Sequence, residues 1–385
     1  MKYTSYIEIS QKALKKNISY LLKKFGSEVK LVSVIKGNAY GHGILCFLPM
    51  AEQCGIDYFA VFDVYEAKQA CSVKKESTKI MIMGGIEQEN LPWVIENNCS
   101  FFISDLESLK QTILCAQQLK KKARIHLELE TGLHRTGLEN DSLPLVKDLI
   151  NDYRDFLYIE GVCTHFAGAE SIANYIRIHE QFERFKQITE WLKTQDISAE
   201  YYHTACSAAA LMYPETRLNM VRIGIAQYGF WPSKETKIHN LLSDSAAYKR
   251  NPLKRILSWK SKVMGIKSVK PGEFVGYGIS YQATKNMRVA TIPVGYYHGY
   301  RRSLSNVGHV LIKGKKAPII GLVNMSVMIV DISHIQQVEK WDDVVLIGKQ
   351  GKSEITVGSF SEQLYLVNYE LLVRLPSQIP RLIVV

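Results

Sequence analysis

Lys36 is the residue of this sequence best placed to do chemistry, because of the segments on either side of it. It follows a run rich in apolar, β-branched residues (Leu31, Val32, Val34 and Ile35), and a glycine-rich segment begins directly after it at Gly37. Such a run is typical of a strand buried on both faces of a parallel sheet. A lysine amine at the end of that strand loses hydration, which lowers its pKa and makes it a nucleophile or a base at neutral pH. The alternative is a lysine whose amine simply reaches solvent from a strand end.

Eight apolar runs of this kind alternate with segments of helical periodicity. They lie at residues 30–35, 58–62, 80–83, 100–103, 125–130, 159–165, 200–205 and 221–227. Eight strand–helix units predict a (β/α)₈ barrel, an α/β fold of about 250 residues. The rival is a doubly wound open sheet, but no Gly-x-Gly-x-x-Gly motif follows the first run.

Polar residues follow these runs, where a barrel has its active site. They are Lys36, Glu128, Glu130, Arg135, His165, His203, Ser207, Arg222 and Tyr228. Active sites of barrel enzymes lie at the carboxyl ends of the strands. We therefore expect these side chains to converge on one mouth of the barrel.

The pattern changes near residue 240, which predicts a second domain. Short alternating runs punctuated by glycine are typical of an all-β domain; they lie at residues 258–263, 288–293, 309–312, 318–323, 327–332 and 343–347, with helical residues at 359–366 and 369–373. We predict a barrel over residues 8–238 and a mainly β domain over residues 239–385, which residues 1–7 could join.

The composition of the chain limits which partners and which cellular compartment we predict for it. The net charge is +11, but the basic residues are scattered, so no nucleic-acid partner is predicted. The sequence has no 18-residue apolar run and no amino-terminal signal pattern, so we expect neither a membrane partner nor secretion. Seven cysteines without a Cys-x-x-Cys motif indicate reduced thiols in a cytoplasmic protein. No metal site is predicted.

The segment Lys-Gly-Asn-Ala-Tyr-Gly-His-Gly at residues 36–43 resembles the alanine racemase family, and further blocks in the family's order run through nearly the whole chain. These are pyridoxal 5'-phosphate enzymes with a barrel followed by a β domain. The resemblance implies an amino acid racemase. It also implies that Lys36 is the Schiff-base lysine and one of two racemisation bases, and that Tyr40 contacts the cofactor phosphate.

The resemblance identifies Tyr277, in Gly-Tyr-Gly, as the opposing base. Racemisation removes a proton from one face of the α-carbon and returns one to the other, so two groups must flank the reacting carbon. A free tyrosine titrates near pH 10, so Tyr277 needs help. His165 and Arg222 match the family's hydrogen-bonded chain from this tyrosine to the cofactor ring.

Further cofactor contacts are implied in the same way. Arg222 would face the pyridine nitrogen, and since a guanidinium does not give up its proton, that nitrogen would stay unprotonated. The phosphate would lie near Ser207 and the backbone amides of Gly224 and Ile225, with Tyr369 completing the site.

The family also implies a homodimer with shared active sites. The β domain of one subunit would cover the barrel mouth of the other, so that the β-domain residues serve the partner's Lys36; they are Tyr277, Tyr296, Arg302, Met325 and Ser326. Arg135 would bind the amino acid substrate from the barrel side.

Several positions depart from the family's pattern. Glu128 replaces a lysine that is carbamylated in many members, and we expect it to supply the charge that orients Arg135, so that bicarbonate does not matter. Tyr297, His298 and Cys206 are also substituted, and Ser326 replaces an acidic residue near the entrance. Losing an anion there leaves room and removes repulsion. We therefore expect a substrate other than, or broader than, alanine, such as serine or another polar or larger amino acid.

Three other functions compete with racemisation. An amino acid decarboxylase, or a specialised lyase or epimerase, would share the scaffold, but decarboxylases use a β-domain cysteine and none follows Cys206. A metal-dependent hydrolase could use His126, His165 and His203, but the first strand lacks His-x-His. A non-catalytic pyridoxal phosphate carrier would lack the β domain.

Overall fold

The computed structural model describes residues 3–243, 251–359 and 368–385. The chain divides into two compact units. The barrel unit comprises residues 13–37 and 47–254, and the β unit comprises the preceding residues up to Lys12, residues 38–46 and residues 255–385.

The barrel unit contains eight parallel strands. Strand β1 (Ser5–Ser10) belongs to the β unit, and the strands of the barrel are β2 (Lys30–Val34), β3 (Tyr58–Val61), β4 (Lys79–Ile82), β5 (Ser100–Ile103), β6 (Ala123–Glu128), β7 (Leu157–Cys163), β8 (Tyr201–His203) and β9 (Met220–Ile223). From β2 to β8 each strand pairs with the next in chain order, and β9 pairs with β2. Just beyond β8, Arg222 N donates to Ala205 O at 3.0 Å and joins the two ends of the sheet. The predicted barrel is therefore confirmed.

Helices connect these strands much as the sequence predicts. They are α1 (Gln11–Phe25), α2 (Lys36–Tyr40), α3 (Ile44–Glu52), α4 (Val64–Cys71), α5 (Leu91–Glu96), α6 (Leu106–Leu119), α7 (Leu143–Asp152), α8 (Tyr175–Thr194), α9 (Ser207–Met212) and α10 (Lys234–Ser243). Asp63 and Asp105 cap α4 and α6, because each carboxylate accepts a backbone N–H of the first turn at 2.8 Å. Helices α1, α2 and α10 lie outside the helical segments that the sequence predicts.

The β unit holds the remaining strands, which are β10 (Leu257–Lys262), β11 (Gly265–Val269), β12 (Met287–Ile292), β13 (His309–Ile312), β14 (Lys315–Pro318), β15 (Met328–Asp331), β16 (Asp343–Gln350), β17 (Ser353–Ile355) and β18 (Arg381–Val384). One sheet has the order β14-β13-β16-β10-β1-β18, with β17 paired to β16, and a second has the order β11-β12-β15. Strand β1 lies between β10, to which it is antiparallel, and β18, to which it is parallel. The mainly β character predicted for this part of the chain is confirmed.

Three local predictions for this unit have different outcomes. The expected strand at residues 318–323 is wrong, since β14 ends at Pro318 and Gly321 has a φ of 74° that strands do not adopt. The expected helix at residues 369–373 is present as α11 (Asn368–Val373). The helix expected at residues 359–366 lies outside the described residues after position 359. Across residues 3–243, 251–359 and 368–385, no helix is both long and apolar enough to cross a bilayer.

Candidate active site

Lys36 lies at the mouth of the barrel, where β2 delivers it. Ile35 is fully buried, and its N–H donates to Ala60 O at 2.8 Å, which continues the sheet up to the lysine. The Lys36 side chain is exposed at this mouth. Its pKa is lowered, first by the partial loss of hydration and then by the positive charge of Arg135, while Glu66 acts in the opposite direction. The amine is therefore easier to deprotonate than that of an ordinary lysine.

The residues after Lys36 form a left-handed turn. The φ angles of Gly37, Asn38, Ala39, Tyr40 and Gly41 are 63°, 52°, 54°, 51° and 78°. Such angles cost roughly 1–2 kcal/mol for each residue other than glycine, so other contacts must compensate. The sequence predicts a glycine-rich turn here but gives no sign that three other residues share its unusual conformation.

Contacts within the β unit hold this turn. A Cβ on Gly41 would lie 1.9 Å from the carbonyl oxygen of Leu372 in α11, so only glycine fits. Arg381 Nη2 donates to Gly41 O at 2.9 Å, and Arg381 Nη1 donates to Ile379 O at 2.5 Å. The turn that carries Tyr40 is thus fixed to the helix that carries Tyr369, and both tyrosines are half-buried.

Arg222 lies on β9, is 4% exposed, and is held by four hydrogen bonds. Its Nη1 donates to Nδ1 of His203 and, at 3.0 Å, to the carbonyl oxygen of the same residue. Its Nη2 donates to Thr164 O at 2.7 Å and to Thr204 O at 3.1 Å. Since a guanidinium has five N–H groups, these bonds leave the Nε–H as the donor for a ligand.

A pair of buried histidines lies behind Arg222. Since Arg222 can only donate, Nδ1 of His203 must accept, and its proton is on Nε2. His203 Nε2 then donates to His126 Nδ1 at 2.8 Å, so His126 carries its proton on Nε2 and donates to the Tyr58 hydroxyl at 3.1 Å. Burial lowers the pKa of both rings, which are therefore neutral. Arg222 thus determines the tautomers of two residues beyond it.

The chain of hydrogen bonds ends on Glu160, in the middle of β7. Tyr58 OH donates to Ser100 Oγ at 3.1 Å, and Ser100 Oγ donates to Glu160 Oε2. Arg124 donates to both carboxylate oxygens, at 3.2 and 2.9 Å, and Lys79 Nζ donates at 2.8 Å. Burial alone would raise the pKa of Glu160, but these partners together hold it far below its usual range. Each donor in the chain points from Arg222 towards this carboxylate.

No sequence pattern predicts this chain as a unit. His126 and His203 are predicted as metal ligands of the hydrolase alternative, and His203 also as a residue of the barrel mouth, but in the structure the two rings are hydrogen-bonded to each other. Glu160 carries a usable signal, since a carboxylate inside an otherwise buried strand needs a partner.

His165 lies two residues beyond β7 and is half-buried. Burial and the positive charge of Arg222 lower its pKa to about 3, so the ring is neutral at pH 7. Gln181 Nε2 donates to His165 O at 3.1 Å and fixes the backbone. Among the described residues, no hydrogen bond joins the His165 ring to the Arg222 guanidinium, although the family resemblance implies that both belong to one hydrogen-bonded chain.

Two of the predicted phosphate-binding residues, Ser207 and Gly224, are hydrogen-bonded to each other. Ser207 begins α9, and its Oγ accepts the backbone N–H of Gly224 at 2.9 Å. This leaves the Ser207 O–H as a donor for a ligand. Ile225 is the next residue and is 6% exposed.

Glu128 is buried, whereas Arg135 is exposed. Glu128 ends β6 at 5% exposure, and burial raises the pKa of its carboxyl. Arg135 is exposed and lines an open cavity of about 390 Å³ together with Glu130 and Asp105. The described residues include no ion pair between Glu128 and Arg135. No direct contact therefore supports the prediction that Glu128 orients Arg135.

The remaining predicted residues lie on the surface of the β unit. Tyr277 is 72% exposed between two glycines with positive φ, and Tyr296 is 42% exposed. Tyr296 N donates to Asn324 O at 3.0 Å, and Tyr297 N donates to Met325 O at 2.9 Å, so these two loops pack together. Met325 is 58% exposed, and Ser326 and Arg302 are exposed beside these loops.

Comparison with known proteins identifies the family. The family described as alanine racemase, N-terminal domain, matches residues 9–232, and the family described as alanine racemase, C-terminal domain, matches residues 256–383. The chain belongs to the alanine racemase family. An alanine racemase of Leptospira interrogans (serovar copenhageni) is 31% identical over 383 residues, which covers 99% of this chain and 96% of that protein.

Solved alanine racemases share the fold. The enzyme from D-cycloserine producing Streptomyces lavendulae has a TM-score of 0.89 at 25% identity, covering 100% of this chain and 98% of that one. The Bacillus anthracis alanine racemase with bound L-Ala-P has a TM-score of 0.89 at 27% identity, covering 100% and 96%. The predicted resemblance, the fold and the interpretation as an amino acid racemase, an isomerase, are confirmed, and nothing supports the decarboxylase or lyase alternative.

Proposed function

We propose that the protein is a pyridoxal 5'-phosphate-dependent racemase that interconverts the enantiomers of alanine or a related small or polar amino acid. The observation that carries this proposal is the mouth of the barrel. In this member of the alanine racemase family, the Lys36 amine has a lowered pKa and lies within the electrostatic influence of the Arg222 guanidinium. The four terminal N–H groups of that guanidinium already donate hydrogen bonds to the protein.

The side chains present fit the cofactor. Lys36 would hold its aldehyde carbon, and the Arg222 Nε–H would meet its ring nitrogen. The Ser207 O–H and the backbone amide of Ile225 would hold its phosphate from the barrel, beside the amide of Gly224. Pyridoxal phosphate supplies an electron sink that makes the α-proton of an attached amino acid acidic.

Tyr40 and Tyr369 would complete the phosphate site. The left-handed turn supports this role, because residues in strained backbone conformations persist where the surroundings over-determine them, and they cluster at ligand clamps. Gly41 and Arg381 provide that over-determination.

Arg222 would determine which reaction the cofactor supports. A guanidinium keeps its proton in a protein, so it donates a hydrogen bond to the ring nitrogen and does not protonate it. The one-directional chain from Arg222 to Glu160 strengthens this arrangement, because every member already donates away from the mouth. A ring left unprotonated is a weaker electron sink, which favours proton exchange at the α-carbon over transamination.

Two bases would exchange the proton. Lys36 serves one face, and the loss of hydration that lowers its pKa increases the fraction that is neutral. Tyr277 serves the other face, with the neutral His165 as its hydrogen-bond partner. We assign Tyr277 to the site of a second copy of the chain, so the enzyme is a homodimer with shared sites.

The surface of the β unit supports the dimer. The large side chains of Tyr277, Ile279, Tyr296, Tyr297 and Met325 are between 42% and 82% exposed, and exposed apolar side chains of this size are expected where a partner covers them. All seven cysteines are free thiols, which supports a cytoplasmic location.

The substrate would be held between Arg135, which suits its carboxylate, and the entrance residues Tyr296, Met325 and Ser326. The small hydroxyl of Ser326 supports an entrance that admits substrates besides alanine.

The test is the exchange of α-protons in D₂O, followed by NMR, for the twenty common L-amino acids with pyridoxal phosphate present. We expect exchange with accumulation of both enantiomers, fastest for alanine or a small polar amino acid. Lys36→Ala should abolish both the exchange and the cofactor absorption near 420 nm. If no amino acid exchanges while the wild-type protein shows that absorption, the racemase proposal is wrong.

A further inference from the structure

Two cysteines of the barrel unit lie in contact. Cys71 is the last residue of α4, and Cys99 directly precedes β5. Their Sγ atoms are 3.9 Å apart, and a disulfide needs about 2.05 Å. Cys99 lies at the amino end of its strand, whereas Lys36 follows the carboxyl end of β2, so the pair is at the opposite end of the barrel from the candidate active site.

The two thiols differ in access and in acidity. Cys99 is 2% exposed, while Cys71 is half-buried and open to solvent. A hydrogen bond links the two sulfur atoms, and this bond, with Lys74 nearby, lowers the pKa of Cys71. The same bond and burial raise the pKa of Cys99. Cys71 therefore carries more thiolate than an ordinary cysteine, and its neighbour keeps a proton.

Three other cysteines, of which Cys115 and Cys163 are buried and Cys54 is half-buried, have the opposite character. Burial raises the pKa of Cys54, Cys115 and Cys163, which leaves their thiols protonated and slow to react. A low-pKa, accessible cysteine beside a second thiol is the arrangement of cysteines that oxidants modify reversibly.

We propose that Cys71 and Cys99 are a reversible oxidation site, which hydrogen peroxide converts from a dithiol to a disulfide. The Cys71 thiolate attacks a peroxide oxygen, the O–O bond breaks, and the leaving hydroxide takes up a proton to become water. Cys71 is then a sulfenic acid. The Cys99 sulfur loses its proton and attacks the Cys71 sulfur, the S–S bond forms, and the S–O bond breaks to release a second water. Together the two thiols lose two electrons, and one molecule of peroxide accepts them and is reduced.

This site is independent of the proposed racemase chemistry. It uses no residue at the mouth of the barrel, and a dithiol such as dithiothreitol reverses it by thiol–disulfide exchange.

The experiment exposes the reduced, cofactor-loaded protein to hydrogen peroxide under native conditions. The remaining thiols are then blocked with N-ethylmaleimide in denaturant, and the peptides are analysed by mass spectrometry without reduction. We expect one cross-linked peptide pair containing Cys71 and Cys99, lighter than the separate peptides by two hydrogen atoms and lost after dithiothreitol. Separate, unlinked peptides for both cysteines after peroxide treatment would overturn the proposal.

Three variants separate the roles of the two thiols. Cys99→Ser should leave Cys71 trapped as a sulfenic acid that dimedone labels, and Cys71→Ser should leave Cys99 unlabelled. Cys115→Ser is the matched control and should form the cross-link at the wild-type rate. If Cys99 in Cys71→Ser is labelled as fast as Cys71 in Cys99→Ser, the assignment of Cys71 as the reactive thiol is wrong. Circular dichroism of each variant before treatment verifies that it is folded.

Discussion

Glu160→Gln replaces the carboxylate on which the chain of hydrogen bonds from Arg222 ends. The side chain is fully buried and accepts from Arg124, Lys79 and Ser100. A glutamine brings an NH₂ group towards one of these donors, so at least one of them loses its acceptor. Removing one partner of a buried ion pair costs about 3–5 kcal/mol. Arg124 and Lys79 keep 29% and 37% side-chain exposure and can be hydrated, so we expect a loss near the lower end, about 3 kcal/mol.

The effect should depend on pH with a definite sign. The pKa of Glu160 is lower in the folded protein than in the unfolded chain, where a glutamate titrates near pH 4.3. The stability that the carboxylate contributes is therefore fully present above about pH 4.3 and is lost as the pH falls towards the folded pKa. One such group gives a slope of about 1.4 kcal/mol per pH unit. The wild type should lose stability with acid more steeply than Glu160→Gln does.

Urea unfolding, followed by tryptophan fluorescence at pH 7 and at a series of pH values below 4.5, measures both effects. Glu200→Gln is the matched control, because Glu200 is 39% exposed and its carboxylate lies 3.8 Å from Lys79 Nζ. Such a pair is worth less than about 1 kcal/mol. The reasoning is refuted if Glu160→Gln is no less stable than Glu200→Gln at pH 7, or if its acid slope equals that of the wild type.

Three further predictions concern the β unit. Tyr277→Phe should still bind pyridoxal phosphate, with unchanged absorption near 420 nm, but should lose α-proton exchange from one enantiomer; equal loss from both, or from neither, contradicts the two-base assignment. Gly41→Ala should lower the melting temperature and weaken cofactor binding, since its Cβ would lie 1.9 Å from Leu372 O. Gly26→Ala is the control. Gly26 has a φ of 91° and nothing within 4 Å of an added Cβ, so this variant should lower the melting temperature only slightly. Ser326→Asp should narrow the exchange profile towards alanine, and an unchanged ranking of substrates would count against Ser326 as a specificity residue.

The position of Lys36 could be predicted because it depends on local sequence. Four apolar residues on either side of Ser33 specify a buried strand, and the end of that strand places the next side chain at the mouth of the barrel. The left-handed turn after it could not be predicted, since Asn38, Ala39 and Tyr40 all disfavour that backbone conformation by themselves. Contacts with Leu372 and Arg381, more than three hundred residues away, impose it.

The chain of buried polar groups could not be predicted for a related reason. His126 and His203 are 77 residues apart, and Tyr58 is 68 residues from His126. Only the order of the strands within the barrel brings them within hydrogen-bond distance. The strand expected at residues 318–323 failed because an alternating apolar pattern there is interrupted by Gly321, whose positive φ turns the chain.

The bond from Arg381 to Gly41 also has a consequence for the order of folding. It joins groups 340 residues apart in sequence, and β18, which begins with Arg381, pairs with β1 from the other end of the described chain. Contacts of such long range form late, because the loop that they close has the highest entropy cost. During synthesis, the strained turn that carries Tyr40 lacks its hydrogen bond from Arg381 until residue 381 has left the ribosome. We therefore expect a nascent chain truncated before β18 to hold pyridoxal phosphate poorly, so that loading with the cofactor follows the completion of the β sheet.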